Sequence, residues 1–269
     1  MKTLTLLLTL VLTGILSAAH YDLYILAGQS NMDGRGEVSK LPKKLQKKSE
    51  QDIIFYRNPI GSSDGWKELA PGYSFAPKKG KKLPSSTFGP EIGFVQAMHK
   101  VNPTQKLALI KGSRGGSSIR RDWAPGQAGK PDTQKELYIM LLETVTLATT
   151  ALKKDGHTYT LRGFLWHQGE SDSKLSSEKY QKALETLIKR VRNDLKSPKL
   201  PVVVGEVFDN EGKRDHTRAA IQATAAASDT VGLVSSEGTS TWDKTTHFDA
   251  KSQLLLGQRY AEEIQKLLK

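Results

Sequence analysis

The chain of 269 residues contains no cysteine. It therefore forms no disulfide, Cys-ligated zinc site or iron–sulfur site, and any covalent catalysis has to use another nucleophile, such as serine or lysine. No apolar run reaches the roughly 20 residues of a membrane-spanning helix. Acidic residues are fewer than basic ones, 28 against 40. With 37% hydrophobic residues, the composition is that of an ordinary globular domain of enzyme size.

The N-terminal segment has the features of a secretory signal peptide. Lys2 gives a positive charge, an apolar run extends from Leu4 to Leu16, and small residues at 17–19 offer a cleavage site. The sequence therefore predicts a signal peptide over residues 1–19 and a single domain over residues 20–269. We expect a secreted or periplasmic protein with no membrane span after cleavage.

Short apolar runs alternate with amphipathic helix patterns along the rest of the chain. The predicted strands are Tyr21 to Ala27, Ile53 to Tyr56, Leu107 to Lys111, Leu161 to His167, Pro201 to Val207 and Val231 to Ser235. The predicted helices are Pro90 to Val101, Lys135 to Lys153, Glu178 to Lys196, His216 to Ala227 and Ala250 to Leu268. The strand runs are continuously apolar, which favours strands buried on both faces. The pattern predicts a doubly wound α/β domain around a central parallel sheet.

Two long stretches without a predicted element follow the first two strands, Asn31 to Gln51 and Arg57 to Gly89. Loops of this length are either functional or partly disordered. Their lysine clusters favour either a solvated surface or a basic rim that attracts an anionic glycan. No aromatic residue interleaves the clusters, so nucleic acid is not the expected partner. The clusters consist of Lys40, Lys43, Lys44, Lys47 and Lys48, and of Lys78, Lys79, Lys81 and Lys82.

The candidate site lies after the predicted strands, because ligands of open parallel sheets bind beyond the carboxyl ends of the strands. Ser30 is either a nucleophile or a helix cap, since serine serves both roles. The residues that follow the strands are Gly28-Gln29-Ser30-Asn31-Met32, Gly112-Ser113-Arg114-Gly115-Gly116-Ser117-Ser118, Trp166-His167-Gln168-Gly169-Glu170-Ser171-Asp172, Gly205-Glu206 with Asp209, and Asp243-Lys244-Thr245-Thr246-His247-Phe248-Asp249.

A serine nucleophile needs a base, and three histidines fall near the predicted strand ends. We interpret His167 as a packed core residue. His216 begins a helix, where the helix dipole disfavours a protonated imidazole, and we expect it to face solvent. His247 is the best candidate base, because the nearby Asp243 carboxylate can hold its tautomer and stabilise its charge.

These groups of residues resemble the conserved blocks of a known superfamily. Gly28-Gln29-Ser30-Asn31-Met32, the glycine pair Gly115-Gly116, the run Trp166 to Asp172 and His247-Phe248-Asp249 are similar to the four blocks of SGNH hydrolases. The branch they resemble is the sialate O-acetylesterase-like group, which includes the acetylxylan esterases of carbohydrate esterase family six. The resemblance implies a flavodoxin-like three-layer α/β/α sandwich, removal of O-acetyl groups from carbohydrates, and no metal or other cofactor.

The resemblance also implies roles for individual residues. Ser30 corresponds to the nucleophile and His247 to the general base. The oxyanion hole corresponds to the backbone N–H groups of Ser30 and Gly116 and the side-chain amide of Gln168. Members usually carry an aspartate three residues before the histidine, whereas Asp243 precedes His247 by four. The alternatives for the acid are Glu170 and Glu206, which both follow predicted strands.

The sequence therefore predicts a serine esterase that removes O-acetyl groups from a polysaccharide or sialic acid, either neutral or anionic. One alternative is a secreted, non-catalytic protein that binds acidic polysaccharide. Another is a lipid or thioester hydrolase of the same superfamily. We expect Trp123 and Trp166 to stack on sugar rings, which favours a carbohydrate over an acyl tunnel.

Overall fold

The computed structural model describes residues 18–75 and 82–269. Positions 1–17 of the predicted signal peptide, together with Lys78, Lys79 and Lys81, lie outside the described residues. Among the residues that are described, no helix is long and apolar enough to cross a membrane.

The described chain alternates strands and helices. The strands are β1 (His20–Gly28), β2 (Gly36–Glu37), β3 (Ile53–Asn58), β4 (Gly61–Ser62), β5 (Lys67–Glu68), β6 (Thr87–Phe88), β7 (Leu107–Ser113), β8 (Thr158–His167), β9 (Val202–Gly205) and β10 (Val231–Val234). The α-helices are α1 (Ser30–Asp33), α2 (Glu91–Val101), α3 (Glu136–Lys154), α4 (Ser177–Asp194), α5 (Asp215–Ala226) and α6 (Ala250–Leu267).

The central sheet has the order β10-β9-β8-β1-β7-β3, and these six strands are parallel. The short strands β4 and β5 pair antiparallel with β3 at one edge. The α/β class with a central parallel sheet is confirmed. The order differs from that of flavodoxin, in which the second strand of the chain lies beside the first. Here β7 lies between β1 and β3, so that strand order still reverses at β1.

Helices cover both faces of the sheet. Helices α3, α4 and α5 pack on one face, against Leu23, Ile25 and Ala27 of β1. Helices α2 and α6 pack on the other face, against Tyr24 and Leu26. Alternate side chains of β1 thus pack into apolar cores on opposite faces of the sheet. This double burial explains the continuous apolar runs in the sequence.

The six predicted strands and five predicted helices are confirmed, and their boundaries differ from the predicted ones by at most three residues. The two long stretches contain short elements that the pattern did not predict, including α1 and β2. Apolar residues of these stretches pack in the core on the α2 and α6 side, among them Leu41, Leu69, Tyr73, Phe75 and Phe88. Their described parts are therefore ordered coverings of the sheet.

Candidate active site

Ser30 begins the short helix α1 directly after β1 and is only 4% exposed. The chain turns sharply here, because the Gln29 N–H donates to the His167 carbonyl (3.0 Å) and the Gly34 N–H donates to the Ser30 carbonyl (2.8 Å). Gly28 has a φ of +147° and leaves no room for a Cβ against the His167 carbonyl. Close contact between β1 and β8 therefore fixes the position of Ser30.

Asn31 joins the Ser30 turn to the loop before α6. Its side-chain amide donates to the Thr246 carbonyl (2.9 Å) and to a Glu170 carboxylate oxygen. Its side-chain Oδ1 accepts from the Phe248 N–H (3.2 Å). The Ser-Asn pair at this strand end is therefore no ordinary helix cap, since Asn31 holds the His247 loop against Ser30.

His247 contacts both Ser30 and Asp243. Its Nε2 lies 3.2 Å from Ser30 Oγ, and its Nδ1 lies 2.6 Å from Asp243 Oδ2. The four-residue spacing is accommodated because Lys244 adopts a left-handed conformation, with a φ of +67°. A histidine held in this way can take a proton from the serine hydroxyl while the carboxylate stabilises the resulting charge.

Asp243 is held by the backbone of its own turn. Its Oδ1 accepts from the N–H groups of Thr245 (3.1 Å), Thr246 (2.8 Å) and His247 (2.9 Å). Partial burial alone would raise the pKa of this carboxyl, but the backbone N–H groups and the His247 side chain outweigh it and lower the pKa. Asp243 is therefore ionised when it faces the imidazole at neutral pH.

The loop after β7 passes beside Ser30. A Cβ built on Gly115 would lie 3.5 Å from the Ser30 Cβ, whereas one built on Gly116 would meet open space. Gly116 has a φ of +72°, a conformation that favours glycine. Within residues 18–75 and 82–269, the N–H groups of Ser30 and Gly116 donate no hydrogen bond. Two unengaged backbone donors thus lie near the serine.

Gln168 differs from the expectation for an oxyanion donor. The side chain is fully buried, and its Nε2 lies near Gln29 Oε1 (3.1 Å), the Ser117 carbonyl (3.0 Å) and Asp172 Oδ2 (2.6 Å). Its Oε1 accepts from the Tyr180 hydroxyl (2.9 Å). Because its two amide hydrogens already have acceptors, Gln168 joins loops in this structure and presents no free donor to a ligand.

Neither alternative acid forms a hydrogen bond or an ion pair with His247. Glu170 accepts from Asn31, and Glu206 accepts from the Ser236 N–H (3.1 Å) and contacts Arg218 (3.4 Å). Of the three carboxylates, Asp243 is the one within hydrogen-bond distance of His247.

The other histidines lie as expected. His167 is buried beside the Tyr260 hydroxyl, with 3.0 Å between its Nδ1 and that oxygen, and burial lowers its pKa. His216 is exposed at the start of α5. The interpretation of His167 as a core residue and of His216 as a solvent-facing residue is confirmed.

The expectation for tryptophan is wrong. Trp123 and Trp166 are fully buried and pack edge to face in the core, with 5.1 Å between ring centroids, so neither can stack on a sugar. The exposed aromatic residue at the site is Trp242, whose ring stacks on His247. Trp242 precedes His247 by five residues in the sequence, and this short spacing is the signal that places it near the candidate base.

A buried charge network beneath Ser30 was also missed. Asp33 accepts from the Tyr56 hydroxyl (2.6 Å) and the Ser113 hydroxyl (2.9 Å) and pairs with Arg35 (2.5 Å). Lys111 is fully buried and donates to the Asp33 carbonyl (2.7 Å) and to Glu91 (2.8 Å). The network fixes α1 from below.

In the described part of the chain, no group of three or more His, Asp or Glu side chains has a geometry that could hold a metal ion.

Three lysines of the first cluster lie near the amino ends of the sheet strands. Lys44, Lys47 and Lys48 are exposed beside a groove that also includes Asp52 and His99. The Asp52 carboxylate accepts from the Leu107 N–H (3.1 Å), at the amino end of β7. Since Gly116 follows the carboxyl end of this seven-residue strand, about 20 Å separates the lysines from the Ser30 site. These lysines do not form a rim around the serine.

The chain matches a carbohydrate esterase family in sequence. The profile of the family described as carbohydrate esterase, sialic acid-specific acetylesterase matches residues 20–266. A protein of Arabidopsis thaliana named a probable carbohydrate esterase is 27% identical over 253 residues, which cover 90% of this chain and 89% of that protein.

Solved structures share the fold. The X-ray structure of an Arabidopsis thaliana protein has a TM-score of 0.70 and 22% identity, and the match covers 91% of this chain and 97% of that one. NanS has a TM-score of 0.70 and 17% identity, with coverage of 94% and 99%. A carbohydrate acetylesterase from Xanthomonas citri has a TM-score of 0.66 and 16% identity, with coverage of 91% and 56%. The family match over most of the chain establishes that this chain belongs to the sialic acid-specific acetylesterase family of carbohydrate esterases and is a carboxylic ester hydrolase.

Proposed function

We propose that the protein removes O-acetyl groups from carbohydrates through an acetyl-enzyme formed on Ser30, with His247 as general base and Asp243 as the orienting acid. The observation that carries the proposal is the continuous chain of contacts from Ser30 Oγ to His247 Nε2 (3.2 Å) and from His247 Nδ1 to Asp243 (2.6 Å). The membership of the esterase family supports the acetylated carbohydrate as substrate.

The reaction has two halves. Ser30 Oγ attacks the acetyl carbonyl carbon while its proton passes to His247 Nε2, and the tetrahedral intermediate collapses as that proton passes to the departing sugar oxygen. Water then attacks the acetyl-serine, His247 again takes and returns a proton, and acetate leaves. In each half, His247 Nε2 takes up one proton and gives it back. The net reaction uses one water and releases one acetate and one free sugar hydroxyl.

The oxyanion hole consists of the backbone N–H groups of Ser30 and Gly116 in this proposal. Both are free of internal acceptors in the described residues, and the Gly115 backbone runs against Ser30. One such donor typically contributes about 10²–10³ in rate. Gln168 has its amide engaged and acts here by joining the loops that carry Gln29 and Ser117.

Three further points complete the proposal. The predicted signal peptide supports action outside the cytoplasm, in a secreted or periplasmic setting. The paired serine and histidine argue against the non-catalytic polysaccharide-binding alternative, since binding alone requires neither a nucleophile nor a base. The family match favours a carbohydrate ester over a lipid or thioester.

Rapid-quench mass spectrometry of the protein mixed with an acetylated sugar tests the proposal. We expect a transient species heavier by one acetyl group, with peptide mapping to Ser30, and no such species in Ser30→Ala. Acetate release without an acetylated Ser30 would contradict the nucleophile assignment. Binding of the sugar ester without any acetate release would support the non-catalytic alternative.

A further inference from the structure

Trp242 is the large apolar side chain most exposed beside the candidate catalytic residues. It is 59% exposed, and its ring lies 5.8 Å from the His247 ring, centroid to centroid, with 13° between the planes. One part of the indole is therefore covered by the imidazole, and the rest faces solvent. A tryptophan is among the costliest side chains to leave in water, because it carries a large apolar surface.

The backbone that carries Trp242 is held in place by its neighbours. The Trp242 N–H donates to the His247 carbonyl (3.0 Å), and the adjacent Thr241 forms an isolated β-bridge with Phe248. On its other side, the Asp243 carboxylate closes the turn through three backbone N–H groups. A side chain on such a fixed turn loses little backbone freedom when a ligand covers it.

The proposed reaction determines what comes close to this surface. The departing alcohol oxygen has to receive its proton from His247 Nε2, so it must come within hydrogen-bond distance of that atom. The carbon skeleton of the alcohol then lies beside the imidazole that Trp242 covers. The acetyl group points the other way, toward the loop of Gly115 and Gly116. The exposed indole thus faces the alcohol part of the substrate.

We propose that Trp242 is the binding platform for the sugar that carries the acetyl ester. A pyranose ring with mainly equatorial substituents has a face made of C–H groups, and this face can lie flat on the exposed indole while its acetyl group reaches Ser30. The proposal rests on the proposed function and adds the part of the substrate that the enzyme selects. It assigns Trp242 to substrate binding, with Ser30, His247 and Asp243 carrying the chemistry.

Trp242→Ala and Trp242→Phe test this role with two esters, a mono-O-acetylated methyl β-D-xylopyranoside and ethyl acetate, whose alcohol is too small to cover an indole. We expect Trp242→Ala to raise KM for the sugar ester about tenfold, with kcat within about threefold of wild type. The effect on kcat/KM for ethyl acetate should be several times smaller, and Trp242→Phe should recover part of the loss. Leu147→Ala, which alters a 55% exposed residue of α3, is the matched control and should alter neither ester.

Equal losses of kcat/KM for both esters, with a shifted pH profile, would overturn the platform role and make Trp242 a positioning residue for His247. Unchanged kinetics with both esters would overturn it as well. Failure of the proposed function is distinguishable, because the wild-type protein would then hydrolyse neither ester.

Binding can also be measured without turnover. In Ser30→Ala, addition of the sugar ester should change tryptophan fluorescence. Trp123 and Trp166 are buried, Trp66 is half-buried with its indole N–H donating to the Ala148 carbonyl of α3, and Trp242 is the exposed indole that the sugar would cover. The change should disappear in the Ser30→Ala, Trp242→Phe double variant. A change that persists in the double variant would contradict contact between Trp242 and the sugar.

Discussion

The carboxyl ends and the amino ends of the sheet strands, here called the carboxyl edge and the amino edge, differ in how their charged and polar groups are held. At the carboxyl edge, Asp33, Lys111 and Gln168 are buried and each contacts several fixed partners. At the amino edge, the groove of about 440 Å³ beside Lys44 and Lys48 is lined by exposed lysines. Lys48 contacts Glu68 at 2.8 Å, but both side chains remain largely in solvent.

Fixed and fully bonded polar groups, rather than charge alone, therefore distinguish the candidate site. Fixed dipoles and charges stabilise a transition state because they need no reorganisation during the reaction. Exposed lysines act mainly through their long-range field, which salt screens within about 10 Å at 0.1 M. Substitutions at the carboxyl edge should therefore change the chemistry, and substitutions at the amino edge should not.

The largest effect is expected for Asp243→Asn. The asparagine can still accept from the turn N–H groups, but its amide favours the wrong imidazole tautomer, so kcat should fall by about 10³–10⁴ with the fold intact. Asp249→Asn is the matched control. Asp249 caps α6 by accepting from the Ser252 N–H (2.8 Å), and because asparagine caps helices about as well as aspartate, its substitution should change stability little and cause no comparable loss of kcat. Similar kcat values in the two variants would contradict the assignment of Asp243.

The same variant gives a pH prediction for stability. The pKa of Asp243 is below its ordinary value of 3.8 in the folded protein, so its ionised form stabilises the fold above that value. The stabilisation is lost as pH falls through the lowered pKa. The difference in unfolding free energy between wild type and Asp243→Asn should be constant above about pH 5 and should shrink below about pH 4. A difference that grows with acidity would contradict the direction of the pKa shift.

An intermediate effect is expected for Glu170→Gln. This buried carboxylate accepts from Asn31 and does not contact His247, so its loss should lower the free energy of unfolding by about 1–2 kcal/mol in denaturant titrations. The fall in kcat should be far smaller than in Asp243→Asn, and the pH profile should be unchanged. A well-folded Glu170→Gln with a crippled kcat, beside a nearly silent Asp243→Asn, would transfer the acid role to Glu170.

The smallest effect is expected when Lys44, Lys47 and Lys48 are replaced together by glutamine. At about 20 Å from Ser30, they should change kcat/KM for a neutral acetate ester by less than about twofold. Activity on an anionic acetylated polymer, measured across a salt series, should respond little more. A large loss confined to the charged polymer at low salt would show that the amino edge recruits anionic substrate.

The sequence predicted the fold well where burial decides the pattern. Strands such as β7 and helices such as α3 show apolar patterns among residues that are close in sequence. The bounds of both elements were therefore predicted to within a few residues. Ser30, His247 and Asp243 could be proposed together because each follows a strand or precedes α6. The two long stretches were different, since their short elements are stabilised by distant core contacts rather than by local pattern.

The remaining features depend on contacts between residues far apart in the chain. Gln168 resembles an oxyanion donor by position, but its amide hydrogens meet Gln29 and Asp172 only in the folded protein. The sequence places Lys111 in a strand, but its role as a buried ion-pair partner of Glu91 becomes visible only in the folded protein. Trp166 and Trp242 have the same side chain, and only packing shows that the first is core and the second is surface.

The central claim, that Ser30 and His247 act as one unit in ester hydrolysis, is tested most directly by a double-mutant cycle. The measurement is kcat for the acetylated sugar with wild type, Ser30→Ala, His247→Ala and the double variant. Each single variant should lose several orders of magnitude, and the double variant should be little worse than either, because triad members fail together. A Ser30→Ala enzyme that keeps more than about a tenth of wild-type kcat, or losses that simply multiply in the double variant, would contradict the account.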